Sequence, residues 1–233
     1  PTGGATWTPV SLPNGEIQRI AVDERYVYCD LYFGYEGDGD RLRNGLYRAD
    51  LAAVMASITS APDDKAFWRE VSQLPLASMR HAGTDSTGNL YVADKYNVCR
   101  SADHGRTWQT IWSKDSTAEL FARIESFSTD IRSNRIVLAE FESIVSSTNA
   151  GKTWTNTDDP FQPGPWGTRG NEFYHICSVG ASFSGRAYYI AVEGPGGVPQ
   201  LYTAREGGRN WRLVSHVIPP VKFFAPQPDG SVY

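Results

Sequence analysis

The sequence predicts an all-β fold assembled from repeated four-stranded antiparallel units, and three observations carry this. The octapeptide Ser101-Ala102-Asp103-His104-Gly105-Arg106-Thr107-Trp108 recurs as Ser147-Thr148-Asn149-Ala150-Gly151-Lys152-Thr153-Trp154 and, more loosely, as Ala204-Arg205-Glu206-Gly207-Gly208-Arg209-Asn210-Trp211. Each copy is followed by a β-rich segment. Between copies, short runs of alternating apolar and polar residues are separated by turn sequences such as Asp85-Ser86-Thr87-Gly88 and Pro228-Asp229-Gly230.

The residue types within the octapeptide have physical roles. A short polar side chain at the third position can accept hydrogen bonds from turn amides, Gly tolerates positive φ, and Trp pins the following strand to a core. The pattern resembles the Asp box, Ser-x-Asp-x-Gly-x-Thr-Trp, of the sialidase-like and related β-propellers. That resemblance implies a β-propeller of four-stranded antiparallel blades, with the boxes on one face and function on the other.

Taken in order, the chain opens on Thr2-Gly3-Gly4-Ala5-Thr6-Trp7, the tail of a box, and a degenerate copy stands at Asp63-Asp64-Lys65-Ala66-Phe67-Trp68, with Lys65 in place of Gly. The anchors Trp7, Trp68, Trp108, Trp154 and Trp211 are then 61, 40, 46 and 57 residues apart, a spacing suited to blades with loops of variable length. Innermost strands are expected at 17–22, 79–83, 121–126, 173–178 and 221–226, and second strands at 26–33, 89–93, 135–139, 187–192 and 230–233. Third strands lead into the boxes and fourth strands leave from the tryptophans. One interruption, 50–60, places Leu51, Val54, Met55 and Ile58 at helical spacing behind a possible Asp50 cap, so a short helix packed on a blade edge is expected there. The stretch from Trp211 round to Trp7 has only 29 residues. Residues 1–233 therefore form a single propeller domain of five blades, the last lacking a strand, or else a portion of a six- or seven-bladed ring.

Composition bounds function. With 22 basic and 26 acidic side chains and a formal charge of −4, no global field draws the chain to nucleic acid or to an anionic membrane, so any anion site must be local. No apolar run approaches the roughly 20 residues of a spanning helix, and no signal peptide opens the chain. Cys29, Cys99 and Cys177 lack metal-ligand spacing and cannot all pair within one chain, so buried thiols are expected, with no metal and no cofactor.

Aligned first strands place Arg19, His81, Arg123 and His175 at one equivalent position, with Arg80 beside His81 and Lys222 in the last blade. A ring of cations at a funnel mouth attracts carboxylate, sulfate or phosphate; the alternative is that these groups staple neighbouring blades. Loops after the second strands carry Glu36, Asp38, Asp40, Asp94, Glu140, Glu142 and Glu193. If extended, Glu140 and Glu142 share a side at roughly 7 Å, which overlaps the separation of paired glycosidase carboxylates. Tyr174 beside His175 is a further proton-transfer candidate. Trp166 lies in a Pro- and Gly-rich loop, 158–171, that should overhang the functional face and stack on a sugar or cap the core.

Asp boxes recur in sialidases, other glycosidases, polysaccharide lyases, sorting receptors and assembly factors, so they imply architecture rather than reaction. Sialidases proper carry an Arg-Ile-Pro motif and a clamp of three Arg; here Arg19-Ile20-Ala21 has Ala for Pro, and only Arg19, Arg80 and Arg123 could form the clamp. The expectation is a carbohydrate-active propeller. It would bind an anionic oligo- or polysaccharide through Arg19, Arg80, His81, Arg123, Trp166 and Lys222, with Glu140, Glu142, Tyr174 and His175 as candidates for cleavage by a hydrolase or lyase. The alternatives are a non-catalytic receptor-binding, adhesin or lectin-like module of a larger assembly, and a structural propeller whose Arg and His only staple blades. An extracellular or surface-exposed location is favoured.

Overall fold

The structure, a computed structural model, describes residues 15–35, 42–57, 68–76, 79–114, 124–130, 132–140, 144–157, 175–181, 187–193, 199–205 and 209–216. These form four antiparallel sheets of four strands, each taken in simple sequence order. The first contains β1 (Glu16–Val22), β2 (Tyr26–Tyr35), β3 (Leu42–Asp50) and β4 (Arg69–Glu70). The second contains β5 (His81–Thr84), β6 (Leu90–Ala93), β7 (Asn97–Ser101) and β8 (Gln109–Ser113). The third contains β9 (Ile124–Thr129), β10 (Ile136–Glu140), β11 (Ile144–Ser147) and β12 (Thr155–Thr157). The fourth contains β13 (His175–Ala181), β14 (Ala187–Glu193), β15 (Pro199–Arg205) and β16 (Arg209–His216). The leading strands β1, β5, β9 and β13 are consecutive neighbours in space, so successive sheets pack side by side around their first strands. The strands expected at 221–226 and 230–233, which would complete a fifth blade, lie outside the described residues, as do Trp7 and the box remnant at 63–67.

The seams between the first and second and between the second and third sheets are apolar layers set by period-2 alternation. Ala21, Tyr28 and Leu46 of the first sheet meet Leu90, Val92 and Cys99 of the second, and Tyr91, Ala93 and Val98 of the second meet Ile124, Ile136 and Leu138 of the third. Inner strands such as β6 are therefore buried on both faces. The far face of the first sheet is covered by Trp68 and by Val54 of the helix α1 (Leu51–Ser57), which pack on Cys29, Leu31 and Ala49. Asp50 caps that helix as expected, its Oδ1 accepting from Ala52 N at 2.9 Å. Met55, expected on the buried stripe, is exposed; so short a helix presents only Val54 fully to the sheet. Cys29 and Cys99 are buried free thiols, and burial pushes the Cys29 thiol up to about 11.

The repeated octapeptides adopt one construction. Ser101 Oγ accepts from Gly105 N at 2.7 Å and donates to Asp103 Oδ1, which accepts in turn from the amides of Arg106 and Thr107. Ser147 Oγ accepts from Gly151 N at 2.9 Å and donates to Asn149 Oδ1, which accepts from Thr153 N. Thr107 above all, through its hydroxyl and its amide, holds the Asp103 carboxyl well below the usual range. Both glycines have the positive φ that the turn requires, +88° and +81°. The preceding sheet fits so closely that a Cβ on Gly151 would fall 2.4 Å from Ile111 Cδ1. Trp108 and Trp154 occupy equivalent places but are half-buried rather than enclosed, because each enters the outermost strand of its sheet, where cover comes from one neighbour. Because Gly151 N is buried, Ser147→Ala should leave a donor unsatisfied and lower stability by about 1–2 kcal/mol. An unchanged urea midpoint would refute this role for the box serine.

The seams are also stapled, by arginines that the octapeptide does not contain. Arg48 of β3 donates from Nη1 to the carbonyl of His104, and Arg100 of β7 donates from Nη1 to the carbonyl of Ala150 at 3.0 Å. Each therefore grips the box of the following sheet at its left-handed residue, φ +59° and +58°. Asp23 and Asp85 also repeat one another: each caps the turn between the first two strands and accepts a hydrogen bond from a buried tyrosine of the second, Tyr28 at 2.8 Å and Tyr91 at 2.6 Å.

Candidate functional site

The candidate side chains that the structure brings together lie along the leading strands. Arg19 is in the middle of β1 at an irregularity in register, paired across the sheet with Asp30 of β2. His81 opens β5 opposite Ala93, and His175 opens β13 opposite Glu193; of His175 only the backbone is described. Arg80 immediately precedes β5, anchored by its amide to Ala93 O at 2.8 Å. Arg19, Arg80 and Glu125 of β9 all act electrostatically on His81, so residues from three sheets converge here. Arg123, Glu142, Tyr174, Trp166 and Lys222 lie outside the described residues.

The electrostatics differ from a uniform ring of cations. His81 is 8% exposed. Its imidazole pKa is brought down to about 3, by burial first and then by Arg19 and Arg80, with Glu125 opposing. It is neutral at pH 7, so the local positive charge belongs to the two guanidinium groups, and Arg80 Nε is buried with no hydrogen-bond partner.

Asp30 was not singled out as a candidate in the sequence. It is 1% exposed, and neither carboxylate oxygen has a hydrogen-bond partner. Burial pushes its pKa up to about 7, against the opposing pull of Arg19. The available signal was a lone carboxylate in the strand Tyr-Val-Tyr-Cys-Asp-Leu-Tyr-Phe. An acid there is buried by its neighbours on both sides, and buried charges are ordinarily paired.

Glu140 ends β10 at a register irregularity and is 4% exposed, with Lys114 Nζ 2.6 Å from its Oε2. Asp94 lies in the turn after β6, as expected, and caps that turn by accepting from the amides of Tyr96 and Asn97. Among the described residues no group of three or more His, Cys, Asp or Glu could hold a metal ion. Chemically, the cluster offers two cationic heads for an anion, a neutral imidazole, and a carboxyl that exchanges its proton near neutrality.

No protein-family model matches the chain, and no curated protein matches it in sequence. Solved structures do match in fold. The extracellular domain of a one-component system from B. thetaiotaomicron aligns at TM-score 0.59 and 10% identity, over 97% of this chain and 27% of that one. A protein described as TolB from Agrobacterium tumefaciens aligns at TM-score 0.59 and 16% identity, over 94% and 69%. A polysaccharide lyase, an ulvan lyase bound to -[GlcA(1-4)Rha3S]-, aligns at TM-score 0.51 and 13% identity, over 89% and 60%. These neighbours are β-propeller-like. The fold is thus all-β and propeller-like, built of four-stranded antiparallel sheets, and the chain spans about a quarter of the first neighbour's length. Among the described residues no helix is long and apolar enough to cross a membrane.

Proposed function

We propose that the protein is a carbohydrate-binding propeller of five blades, of the Asp-box kind, that takes an anionic glycan at the mouth formed by its leading strands. The observation that carries this is the convergence of Arg19 and Arg80 on neutral His81, beside a buried Asp30 that lacks a hydrogen-bond partner. Guanidinium forks match carboxylate and sulfate in geometry as well as charge. A glucuronate and sulfated-rhamnose unit like that held by the ulvan lyase is the kind of ligand such a pair suits. In this reading Arg123, Trp166 and Lys222 complete the binding face, and proton transfer in a hydrolase or lyase reaction falls to Glu140, Glu142, Tyr174 and His175. An extracellular setting suits such a ligand.

The test is a glycan array of acidic and neutral polysaccharides, coupled to assays for reducing ends and for unsaturated uronate. Arg19→Ala and Arg80→Ala should each weaken acidic-glycan binding by about tenfold, the equivalent of one charge-assisted hydrogen bond. Absence of binding to every acidic polysaccharide would overturn the proposal. The burial of Glu140 and its pairing with Lys114 favour a second reading, a binding module without turnover. There, Glu140→Gln leaves affinity intact and no product forms with the unaltered protein.

A further inference from the structure

A second cleft, on the opposite side from the proposed glycan mouth, lies between the first two sheets where the Asp23 turn faces the turn after β5 and the box residue His104. Its volume is about 320 Å³, within the range of small-ligand sites. At its edge Asp23 and His104 form a pair, with Asp23 Oδ2 3.1 Å from His104 Nδ1. The Asp23 side chain is 2% exposed and its carboxylate is fully engaged. Oδ1 accepts from the amides of Arg25 and Tyr26 at 2.7 and 2.6 Å, and Oδ2 accepts from Tyr28 Oη at 2.8 Å. Tyr28 Oη also lies 3.3 Å from His104 Nδ1. Because the tyrosine proton goes to Asp23, both contacts of Nδ1 require that nitrogen to be the donor, and the network assigns the imidazole proton to Nδ1. In the neutral imidazole this tautomer leaves the lone pair on Nε2, at a side chain that is 32% exposed and lines the cleft.

The repeat supplies an internal control. The next seam is built in the same way, with Arg100 on the Ala150 carbonyl in place of Arg48 on the His104 carbonyl and with nearly the same positive φ. Ala150 serves there, so neither the turn nor the staple needs an imidazole. The His104 ring, edge-on to Tyr26 with centroids 5.0 Å apart and bonded to the buried Asp23 carboxylate, is thus additional to the turn and the staple, and it lines an open cleft.

We propose that this cleft binds a neutral, hydroxyl-rich ligand, a saccharide unit, with a ligand hydroxyl donating to His104 Nε2. The lining decides the class. It has no Leu, Val, Ile, Phe, Tyr or Trp side chain, which disfavours an apolar ligand. Glu24 opposes an anion. A cation would need converging free carboxylates, and that of Asp23 is saturated. Arg25 as donor and Glu24 as acceptor give the mixed polar surface that sugar hydroxyls match, and the Ser86 hydroxyl, which donates to Asn134 Oδ1, and the Thr87 hydroxyl, which donates to Asp85 and accepts from Asn89, keep acceptor capacity only. Gly88, at φ +76° with His104 Cε1 3.8 Å from the site of a Cβ, keeps the approach to the ring open. The proposal does not rest on the glycan mouth at Arg19.

The experiment is calorimetric titration of the full chain with cellotetraose, mannotetraose and xylotetraose, each at millimolar concentration, with tri-galacturonate as the acidic probe. At least one neutral tetraose should bind. His104→Phe, which keeps a ring and removes the acceptor, should weaken it about tenfold. Ser86→Trp, which obstructs the cleft without touching the Asp23 pair, should do the same, and Lys152→Ala, at an exposed position in the box of the third sheet, should change nothing. The proposal fails if no neutral tetraose binds, or if Ser86→Trp leaves the affinity unchanged. It also fails if His104→Phe lowers thermal stability while affinity is retained, since the imidazole is then only a seam contact. Tri-galacturonate binding that Ser86→Trp abolishes would overturn the assignment to a neutral ligand.

Discussion

Trp154→Ala should destabilise the protein by about 2–4 kcal/mol. The side chain is half-buried, so its loss falls below the roughly 3–5 kcal/mol of a fully enclosed aromatic. It is not a surface residue either. The indole packs on the layer of Tyr91, Val98, Ile124 and Leu138 between the second and third sheets, and its Nε1 donates to Ile111 O at 3.0 Å, a carbonyl of the neighbouring outer strand β8. The substitution therefore removes apolar cover and a bond between sheets together. Because each sheet mainly touches its neighbours, the loosening should be local first. Amide exchange should accelerate in β8, β11 and β12 before it does in β2 and β3. Uniform acceleration across all four sheets, or an unchanged urea midpoint, would contradict this.

Asp30→Asn should stabilise the protein above neutrality and change the pH dependence of its stability. The folded protein holds the Asp30 proton up to about pH 7, whereas an unfolded chain releases it near pH 4. Between those values the native state binds more protons, so this group's contribution to stability falls as pH rises and levels off above about pH 8. With no hydrogen-bond partner on either oxygen and only Arg19 opposing, the loss is roughly 2–4 kcal/mol. Asn keeps the volume and removes the titration. The difference in urea midpoint between variant and parent should therefore grow from pH 4 to pH 8. A difference independent of pH would show that Asp30 does not titrate in this range.

The structure and the sequence agree where the determining interactions are local. In the two well-preserved boxes Ser, Asp or Asn, Gly and Thr bond one another within four residues, so the octapeptide is readable without its surroundings. The four leading strands among the described residues fall within a few residues of their expected places. Trp108 and Trp154 were expected to be largely buried at equivalent places, and both are part-buried at the start of an outermost strand, the depth of each set by how far the preceding sheet extends over it. His81 shows the same limit in the site. Its position at the head of a leading strand was legible, but its neutrality comes first from burial, with Phe127 of the third sheet beside it, and then from Arg19 of the first sheet and the adjacent Arg80, against the opposing Glu125.

By itself the sequence determined the repeat, the turn chemistry of the boxes, the helix cap at Asp50 and the burial of Cys29 and Cys99, all of which follow from residue type and spacing within a few positions. Only the tertiary structure decided the remaining features: Arg48 and Arg100 as staples, the isolation of Asp30, the pairing of Lys114 with Glu140, and the meeting of Asp23 with His104, 81 residues away. Each of these depends on which faces of successive sheets are brought into contact at a seam. A strand's own alternation states that a face is buried, and the neighbouring sheet supplies the partner, the charge and the dielectric against which a side chain acts.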